Sequence, residues 1–328
     1  MIKTGHPIFI ISLDFEIHWG VSDHRTIESY YENLSNVPKV IERLLQLFNN
    51  RNIHATWATV GMLFCKDKTE LQTWVSPNDQ PTYIDKKLSN YTIIPQAGKN
   101  ENDDKFHYGS SLIKKILSIP NQELATHTFS HYYCLEPGQT IEQFNKDLAA
   151  ATRIHQREGN DPVSIVFPRN QYSDEYLSIC KANNIVCYRG NYSSWIYKPE
   201  AKSTESSWKR MIRIADTYLP ISGNKFVYAS EDLPGMMNIP GSCFLRPYNK
   251  RLSFLEPLRL RRIKNEMNAA GKNNAIYHLW WHPHNFGKDM EKNFAILEDI
   301  LDHFEKLQKK SGMVSMNMRE VYEYCKKA

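Results

Sequence analysis

Two acidic side chains near the start of the chain are the first candidates for chemistry. Asp14 and Glu16 follow the apolar run of residues 8–13 and are separated by Phe15. Alternation along an extended chain places both carboxylates on one side. Barrels of parallel strands carry their chemistry at the C-terminal ends of the strands. One carboxylate of this pair can bind a metal while the other accepts a proton; the alternative is a capped turn with two solvated acids.

Two histidines form a second candidate group. His127 and His131 follow a short predicted strand at residues 123–126. Residues four apart lie on one face of a helical turn, so both imidazoles can reach a single ion. Packing of ordinary core histidines is the alternative. The position directly after a strand, with Thr128 and Ser130 in the turn, favours a metal site.

A third cluster of histidines lies near residue 280. His278, His282 and His284 fall on one face if residues 275–281 form a strand, and Pro283 ends that strand. A histidine at this end can act as a general acid, because its ordinary pKa lies near neutrality. His282 is the predicted acid, and His278, further back, is predicted to be packed in the core.

Other side chains are candidates for holding a carboxylate or a substrate. Arg169 follows Pro168 at the end of a strand, where a guanidinium can hold a catalytic carboxylate and keep its pKa low. The adjacent Trp280 and Trp281 can form a platform for a sugar ring, with core packing as the alternative. The predicted substrate contacts are Trp195, Arg246, Trp281 and His284.

The elements that must position these residues alternate between short apolar runs and longer amphipathic segments. Such alternation predicts parallel strands with helical crossovers. We expect one α/β barrel domain over residues 1–328, with two long loop insertions at about residues 66–107 and 191–250. The predicted strands are 8–13, 54–60, 123–126, 164–167, 185–188, 275–281 and 314–316, and the predicted helices include 37–48, 112–119, 140–156 and 291–309.

Composition excludes several classes of protein. The net charge of +5 comes from scattered Lys and Arg, and the densest basic run, residues 259–264, reads as an amphipathic helix, so no nucleic-acid partner is expected. No apolar run approaches the roughly 20 residues of a membrane span, and we expect no stable membrane insertion. Residues 1–13 lack the pattern of a signal peptide, which predicts a cytoplasmic location. The six cysteines contain no C-x-x-C pair. The oligomeric state stays open.

Taken in chain order, these motifs resemble those of the polysaccharide deacetylases with a NodB-type domain. The resemblance covers roughly residues 8–190 and 275–320, and the pair His127 and His131 in its context is the most specific part. The matching motifs are Asp14-Phe15-Glu16, the run 55–61 (ATWATVG), the run 123–131 (ELATHTFSH), Phe167-Pro168-Arg169 and Leu279-Trp280-Trp281-His282.

The resemblance implies a distorted (β/α) barrel and a metal-dependent hydrolase that removes the N-acyl group of an amino sugar. Its substrate would be an acetylated sugar or glycan intermediate of surface polysaccharide synthesis. The cofactor would be a divalent ion, zinc first, with cobalt, nickel and manganese as alternatives. The implied roles are Asp14 as base, Glu16, His127 and His131 as ligands, Arg169 as the residue orienting Asp14, and His282 (alternatively His284) as proton donor.

The sequence departs from the family pattern in ways that keep other functions open. Phe15 separates the two acids, which are usually adjacent aspartates. The acidic motif that normally supports the late histidine is absent, and Arg189-Gly190-Asn191 occupies about that place. One alternative is hydrolysis of a non-sugar amide or cyclic ureide on the same fold. The other is a carbohydrate-binding barrel without catalysis.

Overall fold

The computed structural model describes residue 2, residues 4–201 and residues 206–327. Within them, ten strands belong to one sheet, and the pairs between neighbouring strands are parallel except for the antiparallel pair β6–β7. The strands are β1 (Ile8–Phe15), β2 (Ala55–Thr59), β3 (Gln122–Thr126), β4 (Ser164–Ile165), β5 (Cys187–Tyr188), β6 (Ser230–Leu233), β7 (Met236–Asn238), β8 (Cys243–Phe244), β9 (Ile276–Trp281) and β10 (Val314–Ser315). Their order is β6-β7-β5-β4-β3-β2-β1-β9-β8, with β10 also paired to β1.

The first strand lies at the centre of this sheet. All eight residues of β1 are buried, and strands covered on both faces are nearly continuous apolar runs. On one side β1 pairs with β9 from Ile8 to Leu13. On the other side β2 pairs with its C-terminal half, and β10 pairs with Ile8 and Phe9. The end of β1 is therefore held rigidly between neighbours, and this is the end that carries Asp14.

One extended segment, residues 236–245, connects β7, next to one end of the strand order, with β8 at the other end. At its start, Met237 N donates to Val186 O at 2.8 Å beside β5. At its end, Leu245 N donates to Trp280 O at 2.8 Å beside β9. Because β7 and β8 both belong to this segment, the sheet curls round on itself. The predicted α/β class with a distorted barrel is confirmed.

Amphipathic helices cover the sheet. In α2 the side chains of Val40, Ile41 and Leu44 are fully buried, at the spacing that faces one side of a helix. Among the described residues, none of the helices combines the length and apolarity needed to cross a bilayer. The helices are α1 (Tyr31–Ser35), α2 (Val37–Asn50), α3 (Lys68–Thr73), α4 (Ser110–Leu117), α5 (Ile141–Arg157), α6 (Asp174–Ala182), α7 (Ser207–Tyr218), α8 (Glu256–Lys272), α9 (Met290–Ser311) and α10 (Met318–Lys327).

The two predicted insertions differ from each other. Residues 66–107 contain α3 and several short 3-10 turns, as expected for a long loop. Residues 191–250 contain α7 and also β6, β7 and β8, which belong to the main sheet. The prediction that the whole second segment is a loop insertion is therefore wrong. Its strands have only two to four residues, too few to show an alternating pattern in the sequence.

Candidate metal and active site

The candidate site lies where loops leave the C-terminal ends of the strands. A cavity of about 350 Å³ opens there. Parallel strands bring these ends together even though they are far apart in the chain. The predicted site residues that line the cavity are Asp14, Glu16, His127, His131, Arg169, His282 and His284.

The structure brings Glu16, His127 and His131 together. The Nε2 atom of His131 lies 2.9 Å from Glu16 Oε2, and Nε2 of His127 lies 3.4 Å from the same oxygen. One ligand atom from each residue lies within 4.8 Å of the others, and all three side chains are buried. A carboxylate and two imidazoles at this spacing can hold a divalent cation.

The second nitrogens of the two imidazoles indicate how they face the carboxylate. His127 Nδ1 lies 2.7 Å from the carbonyl oxygen of Val166. A carbonyl can only accept, so Nδ1 carries a proton, and Nε2 is the nitrogen that faces Glu16 and could bind an ion. In His131, Nδ1 is buried and has no hydrogen-bond partner among the described residues.

The segment that carries both histidines is an irregular loop. The prediction of a helical turn here is wrong, because Thr128 and His131 have left-handed backbone, with φ of 64° and 60°. The carboxylate of Asp147 on α5 fixes this loop: it accepts from Phe129 N at 2.7 Å, from Ser130 N at 3.1 Å and from the Ser130 hydroxyl. These bonds, together with the end of β3, set the separation of the two imidazoles.

The Glu16 carboxylate is enclosed by histidines and by a glycine. Burial raises its pKa, but the neighbouring His282 and His131 lower it more, so the pKa lies well below its usual value and the group is ionised. Gly20 lies directly against it, since a Cβ added to Gly20 would fall 1.9 Å from Glu16 Cδ. A side chain at position 20 would therefore displace the carboxylate.

Arg189, which the sequence reasoning missed, holds Asp14. Its Nη1 and Nη2 donate to the two carboxylate oxygens at 2.7 and 2.8 Å. Nη1 also donates to Ser12 Oγ at 3.0 Å, and the guanidinium lies over the ring of Trp280 at 4.1 Å. Burial raises the pKa of Asp14, but the charge and hydrogen bonds of Arg189 and the neighbouring His282 and His127 together lower it more, so the pKa lies below its usual value.

The prediction that Arg169 orients Asp14 is wrong. The guanidinium of Arg169 donates instead to Asp23 Oδ2 at 2.5 Å and to Glu136 Oε1 at 2.9 Å. The backbone of Arg169 is left-handed, with φ of 53°, and its side chain lies over the ring of Tyr133. Arg169 thus joins three loops at the rim of the cavity. Arg189 also follows a strand directly, as Arg169 does, and this position is the feature of the sequence that could have indicated its role.

Two late histidines face the opposite side of the carboxylates. His282 Nε2 lies 3.6 Å from both Asp14 Oδ2 and Glu16 Oε1, and its side chain is 24% exposed to the cavity. His284 Nδ1 lies 4.0 Å from Glu16 Oε1. Burial lowers the pKa of His284 to about 3, which makes it neutral. Glu16, His282 and His284 form a second group whose spacing would suit a cation, and His278 is fully buried as predicted.

The predicted substrate contacts are only partly placed at the cavity. Trp281 is fully buried and stacks on Phe286, so its predicted role as a sugar platform is wrong. Alternation along β9 turns Trp280 to the cavity instead. Arg246 lines a neighbouring cavity. Trp195 does not line that cavity: it is 68% exposed, although Tyr197 from the same short turn is one of the lining residues.

Comparison with known proteins gives matches among solved structures. No family model matches the chain, and a search of curated proteins found no match. A protein described as a polysaccharide deacetylase from Mycobacterium smegmatis has a TM-score of 0.59 at 13% identity, covering 99% of this chain and 95% of its own. A second such protein, from Pseudomonas aeruginosa, gives 0.57 at 10%, covering 97% and 93%. The Puue allantoinase gives 0.55 at 10%, covering 97% and 92%. The chain shares the fold of these structures.

Proposed function

We propose that this chain, whose barrel is that of the polysaccharide deacetylases, is a metal-dependent hydrolase that removes the N-acyl group of an amino sugar. One observation carries the proposal. Glu16, His127 and His131 converge within ligand distance of one another, beside an Asp14 that Arg189 holds in a fixed orientation. Such an arrangement supplies both a cation site and a proton acceptor.

The donor set fits a divalent ion. Glu16, His127 and His131 would hold it, and two histidines with one carboxylate are a set that zinc commonly uses in catalytic sites. Cobalt, nickel and manganese are the alternatives. When bound, such an ion supplies Lewis-acid polarisation of the acyl carbonyl and makes water more acidic. Three protein ligands leave room for substrate and water.

Asp14 and His282 would share the proton transfers. Asp14 is ionised because its pKa is lowered, so it accepts a proton from the water that attacks the acyl carbon. The C–N bond then breaks, and His282, partly exposed on the other side of the cavity, donates a proton to the leaving nitrogen. Arg189 keeps the Asp14 carboxylate aimed at the water. The acyl group leaves as a carboxylic acid and the sugar as an amine.

Metal content and acetate release test the proposal together. We expect purified protein to contain about one divalent ion per chain and to release acetate from an N-acetylated amino sugar. His127→Ala should lose both the metal and the activity, because it removes a ligand. Asp14→Asn should keep the metal while kcat falls by about 100-fold or more, the usual range for losing a general base.

A histidine away from the site serves as the control. His303 on α9 contacts Asn268, so His303→Ala should keep both metal and turnover. Full activity in Asp14→Asn would remove that residue from the mechanism. Metal retained with no turnover on any substrate would instead favour a carbohydrate-binding barrel. A cytoplasmic location and a role in surface polysaccharide synthesis stay predictions from the sequence.

Hydrolysis of a cyclic ureide is the second candidate function. Its support is the shared fold with the Puue allantoinase and the spaced pair Asp14 and Glu16, which is unusual for sugar deacetylases. Allantoin and simple N-acetyl amides therefore belong in the same substrate panel. Faster turnover of allantoin than of N-acetylated sugars would replace the first candidate by the second.

A further inference from the structure

We propose that the substrate carries a phosphate or diphosphate ester, bound by an arginine-rich cavity beside the catalytic one; this rests on the proposed function. The second cavity has a volume of about 610 Å³. Residues that line both cavities connect them, so one ligand can occupy the two. These shared residues are His24, Arg169, Asn170, Phe244 and Trp280.

Several cationic side chains line this second cavity. Glu200 is an acidic residue on them, and its carboxylate is bound by Lys209 Nζ at 2.7 Å. The charge of Arg169 is balanced by its two acidic partners. Lys198, Arg210, Arg213 and Arg246 also line this cavity.

The fold places the arginines on one wall. Arg210, Arg213 and Thr217 are spaced by three and four residues along α7, which puts them on one face of the helix. Arg246 follows β8 and donates through Nε to Thr217 Oγ1 at 3.0 Å. A helix and the barrel wall therefore bring three guanidinium groups to the same opening.

Arg246 carries the inference furthest. Of the three guanidinium nitrogens of Arg246, only Nε has a hydrogen-bond partner among the described residues. No described carboxylate lies within salt-bridge distance of this guanidinium. Burial lowers the pKa of Arg246, and nearby Arg213 adds to this effect. A partly buried cation beside a like charge is costly. An anion bound beside Arg246 would offset that cost.

Phosphate oxygens fit this arrangement better than a neutral glycan does. A guanidinium presents paired N–H groups that match phosphate geometry, and several arginines suit a group with more than one negative charge. The position next to Asp14 and His282 places such a group at one end of a substrate whose acylated nitrogen reaches the catalytic cavity. A nucleotide diphosphate and a lipid diphosphate share this chemistry.

Binding of inorganic pyrophosphate to the full-length, metal-depleted protein tests the cavity without using catalysis. We expect binding measurable by calorimetry, and a dissociation constant raised about tenfold or more in Arg246→Met and Arg213→Met, as for loss of a charge-assisted hydrogen bond. Arg153→Met, on the exposed face of α5, should bind as the unmodified chain does. Thermal unfolding midpoints check that each variant is folded.

The outcomes separate the two proposals. No pyrophosphate binding, or equal binding by the unmodified chain and Arg246→Met, would overturn this inference while leaving the deacetylase proposal intact. Pyrophosphate binding without acetate release from any substrate would instead count against the proposed function alone.

Kinetics then distinguish the source of the phosphate. The substrates are free N-acetylglucosamine, its uridine diphosphate ester and its farnesyl diphosphate ester. We expect kcat/KM for one of the diphosphates to exceed that of the free sugar by about 100-fold, and Arg246→Met to remove most of that advantage. Equal kcat/KM for free and diphosphate-linked sugars would overturn the inference.

Discussion

The ion pair between Asp14 and Arg189 is buried on both sides, with 5% and 1% of the side chains exposed. Removing one partner of such a pair typically costs 3–5 kcal/mol, because the other charge is left unpaired. The two parallel N–H···O bonds also fix the rotation of the carboxylate. Arg189 is therefore a positioning residue for the proposed base.

A conservative substitution isolates the positioning role. Arg189→Lys keeps the positive charge but removes the planar pair of donors. We expect kcat to fall by about 100-fold, as for a small misplacement of a catalytic group, while KM changes little. Metal content should stay at that of the unmodified chain, because the ligand group of Glu16, His127 and His131 does not include Arg189.

Arg157→Lys is the matched control. Arg157 pairs with Glu70 and Glu158 on the outside of α5, so its change should leave kcat unaltered. Metal analysis and steady-state kinetics of both variants give the comparison. Unchanged kcat in Arg189→Lys would show that the orientation of Asp14 does not depend on the paired hydrogen bonds.

At the scale of elements, the separation of His127 and His131, the two proposed ligand histidines, depends on a helix that does not contain them. Asp147 on α5 accepts the hydrogen bonds of Phe129 and Ser130, and these two residues lie between His127 and His131. The carboxylate is fully buried. Without it, two backbone N–H groups would lose their acceptor in the interior, where each unsatisfied group costs about 1–3 kcal/mol.

Asp147→Ala should therefore affect both stability and metal binding. We expect a loss of roughly 2–4 kcal/mol in the free energy of unfolding and a metal dissociation constant raised by about tenfold or more, similar to the loss of other outer-shell partners. Chemical denaturation and metal titration measure the two quantities. Asp161→Ala, in an exposed loop where Asp161 contacts Gln156, should change neither. Unaltered metal affinity in a destabilised Asp147→Ala would confine Asp147 to a structural role.

The sequence predicted the long elements better than the short ones. The strand at residues 275–281 and the helix at 291–309 agree closely with β9 (Ile276–Trp281) and α9 (Met290–Ser311), because many residues contribute to each period. Two strands, Cys187–Tyr188 and Cys243–Phe244, have only two residues each. They are too short to show an alternation of apolar and polar residues. The loop from His127 to His131 was predicted as a helical turn, since spacing alone cannot show left-handed backbone.

At the scale of the whole molecule, the site depends on how the barrel closes. Asp14 and Arg189 are 175 residues apart in the chain, and only the strand order shows that their side chains meet. Arg169 and Arg189 both follow predicted strands, so the sequence alone could not show which of them contacts Asp14. The pair His127 and His131 could be recognised in the sequence because its spacing is local, whereas the contact between Arg189 and Asp14 is set by tertiary structure.

The segment of residues 236–245, here called the closing segment because it closes the barrel, is in close contact with the chain around Arg189. Gly241 N donates to Gly190 O at 2.9 Å, and Ser242 N donates to His278 O at 2.9 Å. A Cβ added to Gly190 would fall 2.0 Å from Asn238 Oδ1, on the same segment. Gly190 therefore allows the segment to approach the end of β5, next to the guanidinium that holds Asp14.

Gly190→Ala should show whether closure of the barrel affects catalysis without affecting metal binding. We expect the closing segment to shift and carry Arg189 with it, so that kcat falls by about tenfold or more while metal content is retained, with about 1–3 kcal/mol lost in stability from overpacking. Gly159→Ala is the control: its φ of 76° makes the change strained, but no atom lies within 4 Å of the added Cβ. It should lose about 1 kcal/mol and keep its kcat. If Gly190→Ala lowers the unfolding temperature without lowering kcat at 25 °C, the closing segment supports the fold but does not set the orientation of Asp14.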